Sequence, residues 1–414
     1  MTNRENHLPE KGMWRWRDEL VFSNTVAVGD QVFISGQQTL DEDGVVLNPG
    51  DIAAQTRNVF ENMKTSLAAI DLGLEDLVRL NTYYVFNGED KDATAFWEDM
   101  TRVRLEYFPD PGPAATAVRA KGMPYEGQLI QIEGVALRGE SRRSRERIMP
   151  EGSWDWSIAV PLSQGWKIGN RIFVGGQISA DKAGSPVHVG DLDAQTRGIY
   201  DFIGQVLSNA GASFEDLLRV KICFKYDSKD PATGQAFVDR IMEVSKEYVK
   251  GAPPVVTAFA VDLLYPGLDL EIDAMAILDP ETKACNLSRQ YGRYQPSVFS
   301  DGVLADGEIY VGGQAAMDAD GSIMFPGEFF PQAREAFERL DQVLKKFNAT
   351  LNDVVKLNCF IVADDDDEVE ECFHQACTAW ADLSPNSHPT MTPVRVHELP
   401  KPGLLFQADC VAIK

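Results

Sequence analysis

The sequence predicts an α+β protein built from three tandem copies of one β-β-α-β-α-β-β unit. A strand ending in Gly-Gln recurs as Ile34-Ser35-Gly36-Gln37, Val174-Gly175-Gly176-Gln177 and Val311-Gly312-Gly313-Gln314, spaced 140 and then 137 residues apart. About 20 residues after each comes Gln55-Thr56-Arg57, Gln195-Thr196-Arg197 or Gln332-Ala333-Arg334. The copies then stay in step through Phe60, Tyr200 and Phe337, through Leu67, Leu207 and Leu344, and through Asp76, Asp216 and Asp353. A fixed long period defines an architecture before any single residue does. The 414 residues divide into three domains of ordinary size, with expected boundaries at 1–140, 141–282 and 283–414.

The first copy shows the elements in order. Val26 to Val28, the Gly29-Asp30 turn and Gln31 to Ser35 form a hairpin. After a turn over Leu47 to Gly50, Val59, Met63, Leu67 and Ile70 recur at steps of three and four. That is the period of one helix face, and it predicts a helix from about Asp51 to Asp71 that ends near Gly73. Leu77 to Val85 is rich in Val, Leu and Tyr and reads as a strand. A second helix spans about Asp92 to Tyr107 and stops at Pro109. Ala114 to Ala120 and Gln128 to Leu137 close the unit as two strands joined across Met123-Pro124. With both helices on one face, each sheet needs cover on the other. Three copies supply it by forming an intramolecular pseudo-trimer, sheets inside and helices outside, with small-molecule clefts between neighbours.

Composition narrows the function. A formal charge of −24 opposes nucleic-acid binding, because affinity for a phosphate backbone comes from Lys and Arg displacing counterions. The one basic stretch, Arg138 to Arg147, reads as a solvated linker, and the acidic run Asp364 to Glu368 as a polar turn before a helix. No apolar run is long enough to span a membrane, and Met1 to Lys11 is charged and lacks the apolar core of a signal peptide. The six cysteines are absent from the first copy and follow neither a disulfide nor a zinc spacing. Reduced thiols in a cytoplasmic protein are expected, with no metal or other cofactor.

The order of elements, the (Ser/Gly)-Gly-Gln strand end, the Gln-Thr-Arg helix and the closing strand pair resemble the Rid (YjgF/RidA) family. The resemblance covers nearly the whole chain, once per copy. It implies a trimeric arrangement and hydrolysis of reactive enamines or imines to ketones and ammonia. It also implies an arginine two residues after the proline that opens the penultimate strand, clamping the substrate carboxylate bidentately. Those positions here are Ala115, Val256 and Met391, so the arginine is missing from all three copies.

Other site positions carry over unequally. The family's glutamate on the last strand corresponds to Gln131, Glu271 and Gln407, so only the second copy keeps a carboxylate. Its substrate-facing tyrosine corresponds to Phe22, Leu162 and Phe299. Its turn serine survives only as Ser35, and an asparagine on the second helix falls near Thr101, Met242 and His374. Glu271 is the first catalytic candidate: among Val256 and Ala258, desolvation would raise its pKa and suit it to acid–base work. His374 is the second, for proton transfer, or else a satisfied polar residue. Arg119 and Arg395 lie four residues beyond the lost arginine on the same strand face, either reaching the cleft or forming ion pairs at the sheet end. Gln131, Gln407, Ser35, Phe22 and Phe299 complete the expected substrate-binding set. Glu133, Asp273 and Asp409 recur in every copy and read as structural acids between copies. The paired Trp14/Trp16 and Trp154/Trp156 read as packing at copy junctions or as a ligand-stacking wall.

The reading is therefore a hydrolase of a small C=N or enamine metabolite. Two alternatives stand beside it. One is a ring-opening amide hydrolase with barbiturase-like three-repeat architecture, for which only Ser35 of a Ser-Lys dyad per copy is present. The other is a non-catalytic small-molecule-binding or scaffold protein, which losing the arginine three times would fit. The ribonuclease label attached to the family is disfavoured by the charge.

Overall fold

A computed structural model of the chain describes residues 4–8, 14–16, 22–156, 158–225, 231–280, 283–286 and 299–414. The first unit contains strands β1 (Arg4–His7), β2 (Thr25–Val28) and β3 (Gln31–Gln37), helix α1 (Ile52–Ala68), β4 (Leu77–Tyr84), α2 (Ala93–Tyr107), β5 (Ala114–Arg119) and β6 (Ile130–Leu137). The second repeats this as β7 (Arg145–Ile148), β8 (Gly165–Ile168), β9 (Arg171–Gln177), α3 (Leu192–Asn209), β10 (Leu217–Phe224), α4 (Pro231–Ser245), β11 (Val255–Ala260) and β12 (Leu270–Ile277). The third comprises β13 (Lys283–Asn286), β14 (Gly302–Ala305), β15 (Glu308–Ala315), α5 (Phe329–Lys346), β16 (Val354–Ile361), α6 (Asp366–Leu383), β17 (Thr390–Arg395) and β18 (Phe406–Ile413).

Each unit folds its strands into one sheet, in the order β1-β2-β3-β6-β4-β5 in the first and its equivalents in the others. Only the pairs β4–β5, β10–β11 and β16–β17 are parallel, each joined by a crossover helix. The expected element order is present with one addition: each sheet gains a leading edge strand, β1, β7 or β13. The basic stretch read as a linker is therefore partly structured. Arg145 to Ile148 pairs with β8, Arg142 bonds Asp76 at 2.9 Å, and the Arg145 guanidinium lies over the Trp166 ring.

The recurring polar residues are fastenings. The Gln55 amide donates to Gly127 O and accepts from Leu129 N, tying α1 to the hairpin before β6. Gln195 and Gln332 do the same in the other units. Asp76, Asp216 and Asp353 accept from the backbone N–H of Gly73, Ser213 and Thr350, closing the short helical turn that leads into the next strand. In the acidic run, Asp365 caps α6 by accepting from Glu368 N at 2.9 Å.

The helix-free faces of the three sheets share one core. Val26, Phe33 and Val135 of the first unit meet Trp166, Phe173 and Met275 of the second and Val303, Tyr310 and Val411 of the third. Sheets thus lie inside and helices outside. Burying each such side chain contributes roughly 1.5–3 kcal/mol, which a single unit would forfeit on that face. Neighbours also meet cyclically at their edges. Arg119 bridges Asp262, Ala260 bridges Glu398, and Arg395 bridges Gly122. Among the described residues no helix is long and apolar enough to cross a membrane.

Candidate active site

The edge of each penultimate strand meets the Gly-Gln turn of the next unit, and the last-strand polar residue sits at that meeting point. Gln131 lies over Gly36, Glu271 over Gly176 and Gln407 over Gly313, so close that an added Cβ would fall within 2.5 Å of each side chain. The second glycine of the repeat is there because the space above it is taken. In the junction of the third and first units, Gln131 donates to Pro393 O at 3.0 Å and accepts from Gln38 Nε2. Between the second and third, the buried Gln407 Oε1 has no hydrogen-bond partner among the described residues.

Of these three positions over the Gly-Gln turns, the one between the first and second units holds a carboxyl. Glu271 is 3% exposed and accepts from the Ala117 backbone N–H of β5. Burial, reinforced by the neighbouring Asp273, pushes its pKa up to about 8 against the opposing pull of Arg79 and the Ala117 N–H. At neutral pH it is mostly protonated. The sequence reading had set it among Val256 and Ala258. Those residues lie in the second unit's core, which reaches Phe299 of the third unit, because β10 lies between β11 and β12 in the sheet. Glu271 faces the neighbouring unit instead.

Beside this junction a cleft of about 400 Å³, open mouth included, runs between α1, α2 and the sheet of the first unit. Ala115 and Ala117 line it with Ile130 and Ile132. Trp97, Met100, Thr101 and Arg104 of α2 face them, and Trp156 of the second unit closes one side. Trp156 packs on Trp97 with ring centroids 4.8 Å apart and planes tilted by 33°, and meets Trp154 edge-on at the same distance. Glu271 is not itself a wall of the cleft; it joins it through Ala117.

The remaining candidates are distributed. His374, on α6, lies 3.8 Å from Glu370 and beside the rings of Phe373 and Tyr125, at the junction of the third and first units. The two catalytic candidates therefore occupy different clefts. Phe22 packs with Trp14, Trp16 and Tyr125 at His374's junction, and Phe299 with Val256 and Ala258 between the second and third units. The Ser35 hydroxyl accepts from Gln37 Nε2 at 3.2 Å. Arg119 is drawn to Asp90 at 2.8 Å and Asp262 at 3.5 Å, and Arg395 to Asp366 at 2.6 Å. Both arginines are thus held in ion pairs at the sheet ends, outside the cleft lining. The tryptophans are fixed by the repeat's glutamines, Trp14 by Gln37 at 3.0 Å and Trp154 by Gln177 at 3.2 Å.

The sequence reading missed Arg104. It lies within an ordinary charged helix pattern, Arg102, Arg104, Glu106, which reads as solvent-facing. The signal was comparative: the equivalent positions hold Ser245 and Cys377. The equivalence rests on the rings of Tyr107, Tyr248 and Trp380, three residues on, which pack on Phe60, Tyr200 and Phe337.

A second cavity, on the axis between the sheets, is lined by Arg79, Arg219, Lys356, Asn81, Glu133 and Tyr310 among others. Its charges are paired between units. Lys356 Nζ lies 2.6 Å from Glu133, whose carboxyl burial would raise but Lys356 and Lys221 hold down at about 2. The recurrent acids thus belong to a buried network.

The model of the family described as Endoribonuclease L-PSP matches residues 18–138, 156–278 and 294–414. A RutC family protein of Pyrococcus horikoshii is 34% identical over 117 residues, 28% of this chain and 86% of the relative. The 3-aminoacrylate deaminase RutC of Acinetobacter baylyi is 31% identical over 132 residues, 32% of this chain and 97% of that protein. Among solved structures, a chorismatase superposes with a TM-score of 0.52 over 82% of this chain and 93% of its own, at 12% identity, which is a likeness of fold.

Proposed function

The chain belongs to the Rid, or Endoribonuclease L-PSP, family in triplicate, and from that premise we propose that it hydrolyses a small enamine or imine, releasing ammonia, at the junction of its first and second units. The observation that carries this reading is Glu271, a buried acid whose pKa is raised to about 8 and the one carboxyl among the three residues over the Gly-Gln turns. The deaminase activity of the relative RutC supports the reaction class.

Chemistry of this kind needs a proton donor first and a proton acceptor second. A protonated Glu271 gives its proton to the substrate, at carbon in an enamine or at nitrogen in an imine, and leaves an electrophilic iminium carbon. Water adds to that carbon while the carboxylate takes back a proton. The carbinolamine then expels ammonia and leaves the carbonyl product. A general acid–base of matched pKa contributes about 10²–10⁴-fold. His374 and Gln131 belong to another junction in this reading and take no part. The chain acts as an intramolecular pseudo-trimer whose fusion lets one junction specialise.

The test is ammonia release from enamines and imines generated in situ, with Glu271→Gln run alongside. Turnover above the spontaneous rate that is lost in the variant, with the unfolding transition unchanged, is the expected result. No turnover by the native chain on any of the substrates would overturn the reading.

A further inference from the structure

Arg104 is a cation without a counter-charge in a largely apolar cleft. Among the described residues no carboxylate forms an ion pair with it, and burial alone lowers its pKa to about 10. Its Nη2 reaches two carbonyls at long range, Pro113 O at 3.3 Å and Pro161 O at 3.4 Å. Its Nε is buried and has no partner. A second buried donor lines the same cleft unpaired, the Trp156 indole Nε1. Leaving such donors unmet is costly, and a charged one more so. The carbonyls and the face of the Phe108 ring, 5.8 Å from the guanidinium carbon, stabilise the cation but supply no negative charge. The other units fold with Ser245 and Cys377 at this place. Directly across the cleft stands Ala115, where the family's arginine is absent and the small side chain leaves the floor open.

We infer that Arg104 and the Trp156 indole N–H bind the anionic group of the ligand, a carboxylate, so that the anion is held from helix α2 and not from strand β5. The unpartnered guanidinium Nε–H suits one oxygen of a carboxylate and the indole N–H the other, with the cation balancing the charge. The paired Trp97 and Trp156, with Phe60 and Met100, then cover an apolar or aromatic body attached to that carboxylate. The ligand class is a small carboxylic acid with an unsaturated or aromatic body. The inference rests on the preceding reading only in taking this cleft as the place where the substrate lies.

The test uses unreactive probes, benzoate and benzamide, titrated into the full-length native chain and followed by tryptophan fluorescence and calorimetry. Benzoate is expected to bind at millimolar concentration and benzamide to bind at least tenfold more weakly. Arg104→Ala is expected to weaken benzoate by about 10- to 100-fold, the range for hydrogen bonds to a charged group. Arg104→Gln can still donate to the Pro113 and Pro161 carbonyls but lacks the charge, and is expected to behave like Arg104→Ala. Benzoate binding that survives in Arg104→Gln, or no preference for benzoate over benzamide, would overturn the inference. The two readings fail separately. Benzoate binding lost in both variants without ammonia release from any substrate leaves the anion site standing and removes the hydrolase. Turnover that depends on Glu271 but is indifferent to Arg104 does the reverse.

Discussion

Arg79 of the first unit reaches Asp273 of the second, Nη2 to Oδ2 at 2.6 Å, with side-chain exposures of 5% and 0%. Lys356 and Glu133 repeat the crossing from the third unit to the first. Burial opposes the charge on Asp273, yet Arg79, Arg219 and Lys221 outweigh it and hold its carboxyl below the usual range. Removing one partner strands the other in the shared core, so Arg79→Ala is expected to destabilise the chain by about 3–5 kcal/mol. Arg57 and Glu106 make an equally short pair on the surface, at 2.6 Å, and Arg57→Ala is expected to change little. Urea unfolding of the two variants beside the native chain checks this. Equal effects would mean that the axial pairs do not hold the units together.

Much of this arrangement was legible in the sequence, for a physical reason. The repeat is anchored by residues with a single structural job, such as the glutamine that ties α1 to the closing hairpin and the aspartate that closes the turn before β4. Such jobs survive divergence in step. The edge strands β1 and β7 were not legible, because Arg-Glu-Asn-His and Arg-Glu-Arg-Ile pair on one side only and carry no apolar alternation. Glu271 stood out as the one retained carboxyl, but its surroundings did not. They belong to a strand more than 150 residues away in another unit, and no periodicity within one copy reports a contact between copies.

The raised pKa of Glu271 sets a stability profile with a definite sign. An acid whose pKa rises on folding, here from 4.5 to about 8, holds its proton more tightly in the folded chain. Its contribution is fully present below the unfolded value and is lost as pH rises through about 8. Glu133 behaves in the opposite sense: held at about 2, it contributes above its unfolded value and loses that contribution as pH falls through about 2. Unfolding free energy measured from mildly acidic to mildly alkaline pH is expected to decline across that interval, less steeply in Glu271→Gln. The same titration is expected to appear as a fall in turnover above about pH 8, since the proton donor is then gone.

Cys223, Cys359, Cys372 and Cys410 are buried thiols outside any disulfide. Burial pushes the thiols of Cys223, Cys359 and Cys410 well up, and that of Cys372 to about 12. The thiolate is the reactive form. Native protein is therefore expected to label at these positions only as fast as it opens, and unfolded protein at once. Peptide mapping after a timed maleimide pulse reads this directly, and rapid native labelling of Cys223 would mean that the junction beside Glu271 opens readily.

Gly176 offers the sharpest separation between the three junctions. A Cβ there would lie 1.8 Å from Glu271 Oε1 and 3.0 Å from Thr116 Oγ1, so Gly176→Ala must push the carboxyl out of the place where Ala117 N–H holds it. The change adds one methyl group and removes no charge. If Glu271 is the proton donor, its displacement is expected to cost turnover about a hundredfold or more. Gly36→Ala and Gly313→Ala impose the same crowding on Gln131 and Gln407, at 2.5 Å in each case. Those side chains are not the proton donor, so both variants are expected to keep most of the activity while losing a comparable amount of stability. Ammonia release and unfolding measured on all three variants decide the matter. An equal loss of turnover in all three would mean that the crowding acts through the shared fold, and a loss confined to Gly36→Ala would move the reaction to the junction that holds His374.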